Sequence, residues 1–370
     1  MTPNRRELMA GAAALAATPA FAAAPALVSK RPPVAERRFV SKAVEAEITR
    51  ISKLIADPTL RWMFGNCYPN TLDTTVLSLG EVNGKPDAFV ITGDIPCLWL
   101  RDSAAQLRPY LHLVKRDPAL GRLFRGLIGR QARSILIDPY ANAFMQDPSA
   151  KTNLSWALKD DTEMKPGVAE RKWEIDSLCY AIRLAYGYWR ETGDVTPFDA
   201  EWKASARLIV KTFREQQRKD GLGPYGFRRS APEPTETLYR GYGLPTRPNG
   251  MIHSGFRPSD DACLYEQFVP ANLFAMTTLR ELATLSNAVG EPALAQDATA
   301  LAAEVEGALK QHGTMTLPSG EHVWAFEVDG YGNAVFMDDA NVPSLSALPL
   351  LGSAARNDPL YRRTAALAWS

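Results

Sequence analysis

The sequence predicts an all-α protein built of helical hairpins, and three observations carry that prediction. Apolar residues recur at three- and four-residue steps along most of the chain, strand-like alternation is scarce, and long segments rich in Gly, Pro and Asp separate the helical ones. The 370 residues, 46% of them hydrophobic, suffice for one large core. No repeat of fixed period is evident, which argues against the short-repeat solenoids.

The clearest helix spans 174–191, where Ile175, Leu178, Cys179, Ile182, Tyr186 and Trp189 share one face and Gly193 follows as a stop signal. Ala206, Ile209, Val210 and Phe213 mark a second helix, closed by Gly221. Leu294, Ala298, Leu301, Val305 and Leu309 mark a third, with Pro292 near its start. Further helices are expected near 41–56, 102–115, 118–136, 269–288 and 358–370. The segments 138–172, 220–260 and 313–343 are longer than structureless loops usually are without a function. A helical ring carrying such loops on one side builds an active site from them.

Residues 1–26 have the composition of an export signal. Asn4-Arg5-Arg6-Glu7-Leu8-Met9 is twin-arginine-like, Ala10 to Ala17 is apolar, and Ala20-Phe21-Ala22 has the small-x-small pattern of a cleavage site. The apolar run is shorter than the roughly 20 residues of a membrane span. The expectation is a periplasmic or extracellular protein with no membrane partner, a linker over 27–38 and one domain over 39–370.

A net charge of +1 argues against a nucleic-acid partner, because neutralising many phosphates takes a basic excess. The four cysteines, Cys67, Cys97, Cys179 and Cys263, form no CxxC pair and read as free thiols, mostly buried. The four histidines are scattered without a metal-binding spacing, so neither a metal nor another cofactor is expected. No GxSxG elbow or phosphate-cradling Gly loop occurs.

What remains is a distribution of carboxylates. Four acidic clusters stand next to aromatic or Arg residues at helix starts: Trp99-Leu100-Arg101-Asp102-Ser103, Lys172-Trp173-Glu174-Ile175-Asp176-Ser177, Arg257-Pro258-Ser259-Asp260-Asp261 and Met337-Asp338-Asp339-Ala340-Asn341. Each taken alone is an ordinary helix cap. Four of them beside the long loops point instead to a site. Glycoside hydrolysis needs two carboxyl groups, one protonated for the leaving oxygen, and Arg–Asp pairs offer sugar hydroxyls a donor and an acceptor together. The adjacent Asp260 and Asp261 repel each other, so one of them is expected to keep its proton near neutral pH. Arg257 would favour the ionised form of whichever it touches. The sequence leaves open which one donates.

Several blocks carry a resemblance to glycoside hydrolase family 125. They are Trp99 to Ser103, Asp138-Pro139-Tyr140-Ala141-Asn142-Ala143-Phe144, Glu170 to Tyr180, Ser254 to Cys263 with Val269-Pro270-Ala271-Asn272, and Met337 to Ser344. The resemblance implies an (α/α)6 toroid of helical hairpins. It implies exo-acting, inverting, metal-independent hydrolysis of α-1,6-linked mannose from the non-reducing ends of mannose-containing oligosaccharides. It places the acid in the Asp260-Asp261 pair and the grip on the terminal sugar at Arg101 and Asp102. Trp99, Trp173, Glu174, Asp176, Arg257 and Asp339 then line the pocket. Two departures stand out. The family's Glu base lies in a C-terminal His-Glu-Ser stretch, which this sequence lacks; a chain short of its last hairpin elements and hydrolytically weak is therefore expected. His253 stands where a Trp is expected, which removes one aromatic wall. A toroidal glucosidase and a sugar-binding chain of impaired catalysis are the alternatives.

Overall fold

Helices form where the apolar spacing predicts them, as a computed structural model describing residues 27–231 and 233–370 shows. The export signal expected over 1–26 lies outside the described residues. Successive helices are Lys42–Ser52, Pro58–Cys67, Asn70–Thr74, Leu100–Leu107, Pro118–Ile137, Ile175–Thr192, Ala200–Gln216, Val269–Ala288, Pro292–His312, Leu348–Leu351 and Pro359–Ala368. The helix expected over 102–115 is divided. After Leu107 the backbone tightens into a 3-10 segment, Arg108–Arg116, because Pro109 has no N–H to continue the α-helical ladder. Gly193 ends Ile175–Thr192 in the left-handed conformation, φ 71°, while Ala200–Gln216 stops short of Gly221.

Burial sorts the long helices into two layers. Thirteen of the eighteen residues of Ile175–Thr192 and fourteen of the twenty of Val269–Ala288 are buried, so these helices have protein on nearly every side. Only eight of twenty-one are buried in Pro292–His312, a one-sided stripe. The inner layer runs Leu100–Leu107 against Ile175–Thr192 against Val269–Ala288. Outside it, Pro118–Ile137 packs on Ala200–Gln216, which meets Pro292–His312. This is the hairpin arrangement of an (α/α)6 toroid.

Short three-stranded sheets stitch the long loops to the starts of the inner helices. Leu98–Trp99 pairs with Ala143–Phe144, which pairs with Val168–Glu170. Gln267–Phe268 pairs with Glu327–Val328, which pairs with Ala334–Val335. Because Leu98–Trp99 runs straight into Leu100–Leu107 and Gln267–Phe268 into Val269–Ala288, the loops gather at the N-terminal ends of the inner helices.

Two features depart from expectation. Val76–Val82 and Lys85–Val90 form an antiparallel hairpin, turned at Asn83 and Gly84 with φ 53° and 72°. Pro118–Ile137 lies on it so closely that a Cβ at Gly126 would come within 2.9 Å of the Ala88 nitrogen. The expected linker is held down: the Arg31 guanidinium donates to Asp73 at 2.7 Å and to Glu45 at 3.0 Å. Cys97, Cys179 and Cys263 are buried free thiols, whereas Cys67 is exposed. No helix among the described residues is long and apolar enough to cross a membrane.

Candidate active site

Three of the four acidic clusters converge. Arg101, in the first turn of Leu100–Leu107, reaches across to the start of Ile175–Thr192, where its Nη1 donates to Glu174 Oε2 at 2.6 Å and to Asp176 Oδ2 at 3.2 Å. Its Nε lies 3.6 Å from Asp102 Oδ2. Ser177 Oγ adds a donor to Glu174 Oε2 at 2.8 Å. Glu174 occupies the position that precedes the helix, yet its side chain caps no backbone N–H. The carboxylates still gain from the positive ends of the two helices.

What marks this cluster as a site is what it leaves unmade. Asp102 Oδ2, Glu174 Oε1 and Asp176 Oδ1 are buried with no hydrogen-bond partner in the protein. A buried acceptor without a donor costs about 1–3 kcal/mol, and here three surround one guanidinium. Burial raises the Glu174 carboxyl well above its usual range, and the neighbouring Asp176 and Asp260 raise it further against the pull of Arg101. Asp176 is also raised by burial, with Arg101 opposing. Such groups wait for donors, and sugar hydroxyls are donors of the right kind.

The Asp260-Asp261 pair is split. Asp260 has φ 70°, a left-handed conformation that non-glycine residues adopt at a cost, and it stands exposed at the rim of a cavity of about 670 Å³. The protein on its other sides withdraws water from the carboxyl and raises its pKa; Glu170 and Asp102 add to this, while Lys172 and Arg101 oppose it. Lys172, 2% exposed and set over the Phe256 ring, holds the turn by donating from Nζ to the Asp260 carbonyl at 2.8 Å. Asp261 does not line this cavity, and its carbonyl accepts from Arg257 N at 2.8 Å.

Trp99 also lines the cavity. Trp173 does not: it is 1% exposed, its indole N–H donates to the His253 carbonyl at 2.7 Å, and its own carbonyl accepts from Gly255 N and Phe256 N. It thus ties the loop carrying Asp260 to the start of the inner helix, behind the pocket. His253 is buried there too, held neutral as burial pulls its pKa to about 3, so the wall expected at that position is not part of the cavity. Arg257 turns away and donates from Nε to Glu327 Oε1 at 2.6 Å instead of meeting either aspartate carboxylate. Asp339 accepts from Asn341 N at 2.9 Å within its own loop. Trp156, Glu170, Lys172 and Arg229 line the cavity without having been expected there. Lys172 and Glu170 lie within a recognised block, but Trp156 and Arg229 sit in loop sequence with no local pattern to single them out.

The chain is similar to proteins already described. The sequence pattern of the family described as "Metal-independent alpha-mannosidase (GH125)" matches residues 57–370. The Meiotically up-regulated gene 157 protein of Schizosaccharomyces pombe is 40% identical over 351 residues, covering 90% of this chain and 69% of that protein. A Streptococcus pneumoniae metal-independent α-mannosidase, solved in a non-productive complex with α-1,6-mannobiose, superposes with a TM-score of 0.83. It is 37% identical to this chain, and the match covers 90% of this chain and 78% of the other.

Proposed function

Because this chain belongs to the metal-independent alpha-mannosidase family, glycoside hydrolase family 125, we propose that the cluster around Arg101 grips a terminal α-1,6-linked mannose while Asp260 protonates the bridging oxygen. The chain is a glycoside hydrolase of exo-α-1,6-mannosidase type. The observation that carries the site assignment is the trio of buried, unpartnered carboxylate oxygens around Arg101, whose charge Asp260 also feels. The sugar's hydroxyls would supply the missing donors, and Arg101 keeps the negative charge tolerable. A general acid has to hold its proton near the working pH, and Asp260 is the member of the pair whose surroundings favour the protonated form.

Inversion, which the family resemblance implies, would release β-mannose first, visible by proton NMR on α-1,6-mannobiose. The attacking water must give its proton to a carboxylate base, and because the His-Glu-Ser stretch that carries the family's base has no counterpart in this sequence, a slow rate is expected. The acid is tested by Asp260→Asn, assayed on α-1,6-mannobiose and on α-mannosyl fluoride, whose leaving group needs no proton. A loss of about 10²–10⁴-fold is expected on the disaccharide and far less on the fluoride. Wild-type rates on the disaccharide in Asp260→Asn would overturn the assignment, and the expected loss appearing in Asp261→Asn instead would move the role by one residue.

The pattern over Asn4 to Ala22 supports export to the periplasm or beyond. Cell fractionation tests this: replacing Arg5 and Arg6 by Lys should strand the protein in the cytoplasm.

A further inference from the structure

Besides burial, the charges that weigh on the Asp260 carboxyl are those of Lys172, Glu170, Arg101 and Asp102. They belong to two segments far apart in the sequence, so something has to fix their spacing around the acid. Asn142, 0% exposed, is hydrogen-bonded to both segments. Its Oδ1 accepts from Lys172 N at 3.1 Å, and its Nδ2 donates to Glu170 Oε2 at 3.1 Å. Its backbone carbonyl accepts from Leu100 N at 3.0 Å, immediately before Arg101 and Asp102.

The local chain explains why an asparagine stands there. Val168–Glu170 pairs with Ala143–Phe144 only as far as Glu170. Beyond that point side chains take over the backbone hydrogen bonds that the sheet no longer makes. Asn142 Oδ1 serves Lys172 N, while the Tyr225 hydroxyl accepts from Trp173 N and donates to the Arg171 carbonyl, both at 3.0 Å. Lys172 N can only donate and Glu170 lies on the other edge of the amide, so the group at 142 must accept on one side and donate on the other. A carboxamide does this; a carboxylate does not. Rotating the amide would break both bonds at once, with both partners buried. Glu170 is held in turn on its second oxygen, where Oε1 accepts from Trp156 Nε1 at 3.1 Å and from Arg229 Nη2 at 3.0 Å, and Arg229 is paired with Asp160 at 2.7 Å. Beneath, Trp99, Ala143 and Ala169, the residues next to Leu100, Asn142 and Glu170, pack with Cys97, Leu154 and Ala157 in a small apolar cluster of their own.

We infer that Asn142 is a positioning residue of the mannosidase site: its amide sets Lys172 and Glu170 in their places beside Asp260, and its backbone ties both to the helix start that carries Arg101 and Asp102. It lies buried outside the cavity and acts through the acid. The inference rests on the reading of Asp260 as that acid and extends it to the residue that keeps the acid's charged neighbours in register.

The test compares α-1,6-mannobiose with α-mannosyl fluoride, using azide as the attacking nucleophile because it needs no base. Disturbing the acid's surroundings impairs proton donation, which only the disaccharide requires. Asn142→Ala is expected to lose about tenfold to a hundredfold in kcat on the disaccharide and less than about threefold on the fluoride. Asn142→Asp has the same size, keeps the acceptor for Lys172 N and changes only the donor facing Glu170. It should show the same selective loss, so the comparison stands even where the alanine variant is too unstable to assay. Equal losses on the two substrates would make Asn142 a packing residue and overturn the inference, as would wild-type rates on the disaccharide in both variants. A wild-type chain that turns over neither substrate in azide overturns the reading of the site and this inference together.

Discussion

The two ends of the site are held by different means. At the proposed terminal-sugar end, Arg101, Asp102 and Asp176 project from the first turns of two inner helices and Glu174 from the position before the second, and Glu174 and Asp176 are 0% exposed. Across the cleft, Asp260, Lys172 and Trp156 stand on loops, positioned by hydrogen bonds and a bracket of ion pairs. The helical end gains rigidity from the core at the cost of burying charge. The loop end keeps Asp260 and Trp156 near water and gains reach. A glycosidase of this design reads one ring strictly and its neighbour more loosely.

The strongest way to break that comparison is Arg101→Met. With the guanidinium gone, Glu174 and Asp176 are buried without compensation, a loss of about 3–5 kcal/mol measurable by denaturant unfolding. Burial already raises the Glu174 carboxyl in the folded protein, so its ionised form costs stability as pH rises through that raised value, and protonation relieves the strain. The deficit should therefore shrink towards pH 5 and widen towards pH 8. A pH-independent deficit would mean the carboxylates are not the cause.

On the loop end, Lys172→Met should leave the fold intact but lower kcat on α-1,6-mannobiose by about tenfold to a hundredfold through misplacement of the acid. Lys172 also opposes the upward shift of Asp260. Its removal raises that pKa further, the protonated acid persists to higher pH, and the basic limb of the rate profile moves up. Lys172→Arg should restore part of both effects. A lowered rate with an unmoved basic limb would reduce Lys172 to packing.

Ser177→Ala is the mildest probe. It removes one 2.8 Å donor from Glu174 at the helical end. A weakening of methyl α-mannoside binding of about fivefold is expected, with the ratio between α-1,6-mannotriose and methyl α-mannoside affinities unchanged. A change in that ratio would show that the two ends are not independent.

Much of this was written locally in the sequence. The 3.6-residue spacing of Ile175 to Trp189 fixed a helix to within a residue or two, and the carboxylates beside Arg and Trp located the helix-built end. The hairpin from Val76 to Val90 was not anticipated, because few alternating residues surround its Asn83-Gly84 turn. The loop end was not legible in the same way. Asp260 and Asp261 are chemically identical, and what distinguishes them is tertiary: Asp260 lines the cavity in a left-handed turn whose carbonyl accepts from Lys172, 88 residues away. Trp173 looked like a pocket wall because aromatic rings serve both cores and sugars; burial decided between them. Trp156 depends on Glu170, Arg229 and Asp160, which come together only when three loops meet.

The separate apolar cluster of Cys97, Trp99, Ala143, Leu154, Ala157 and Ala169 has a consequence for how such enzymes diversify. It gives the stretch around Trp156 its own foundation, detached from the main interior, so that stretch can be exchanged for another sequence while the helical ring remains untouched. New glycan preferences would then arise by grafting a surface segment, with the catalytic chemistry inherited unchanged.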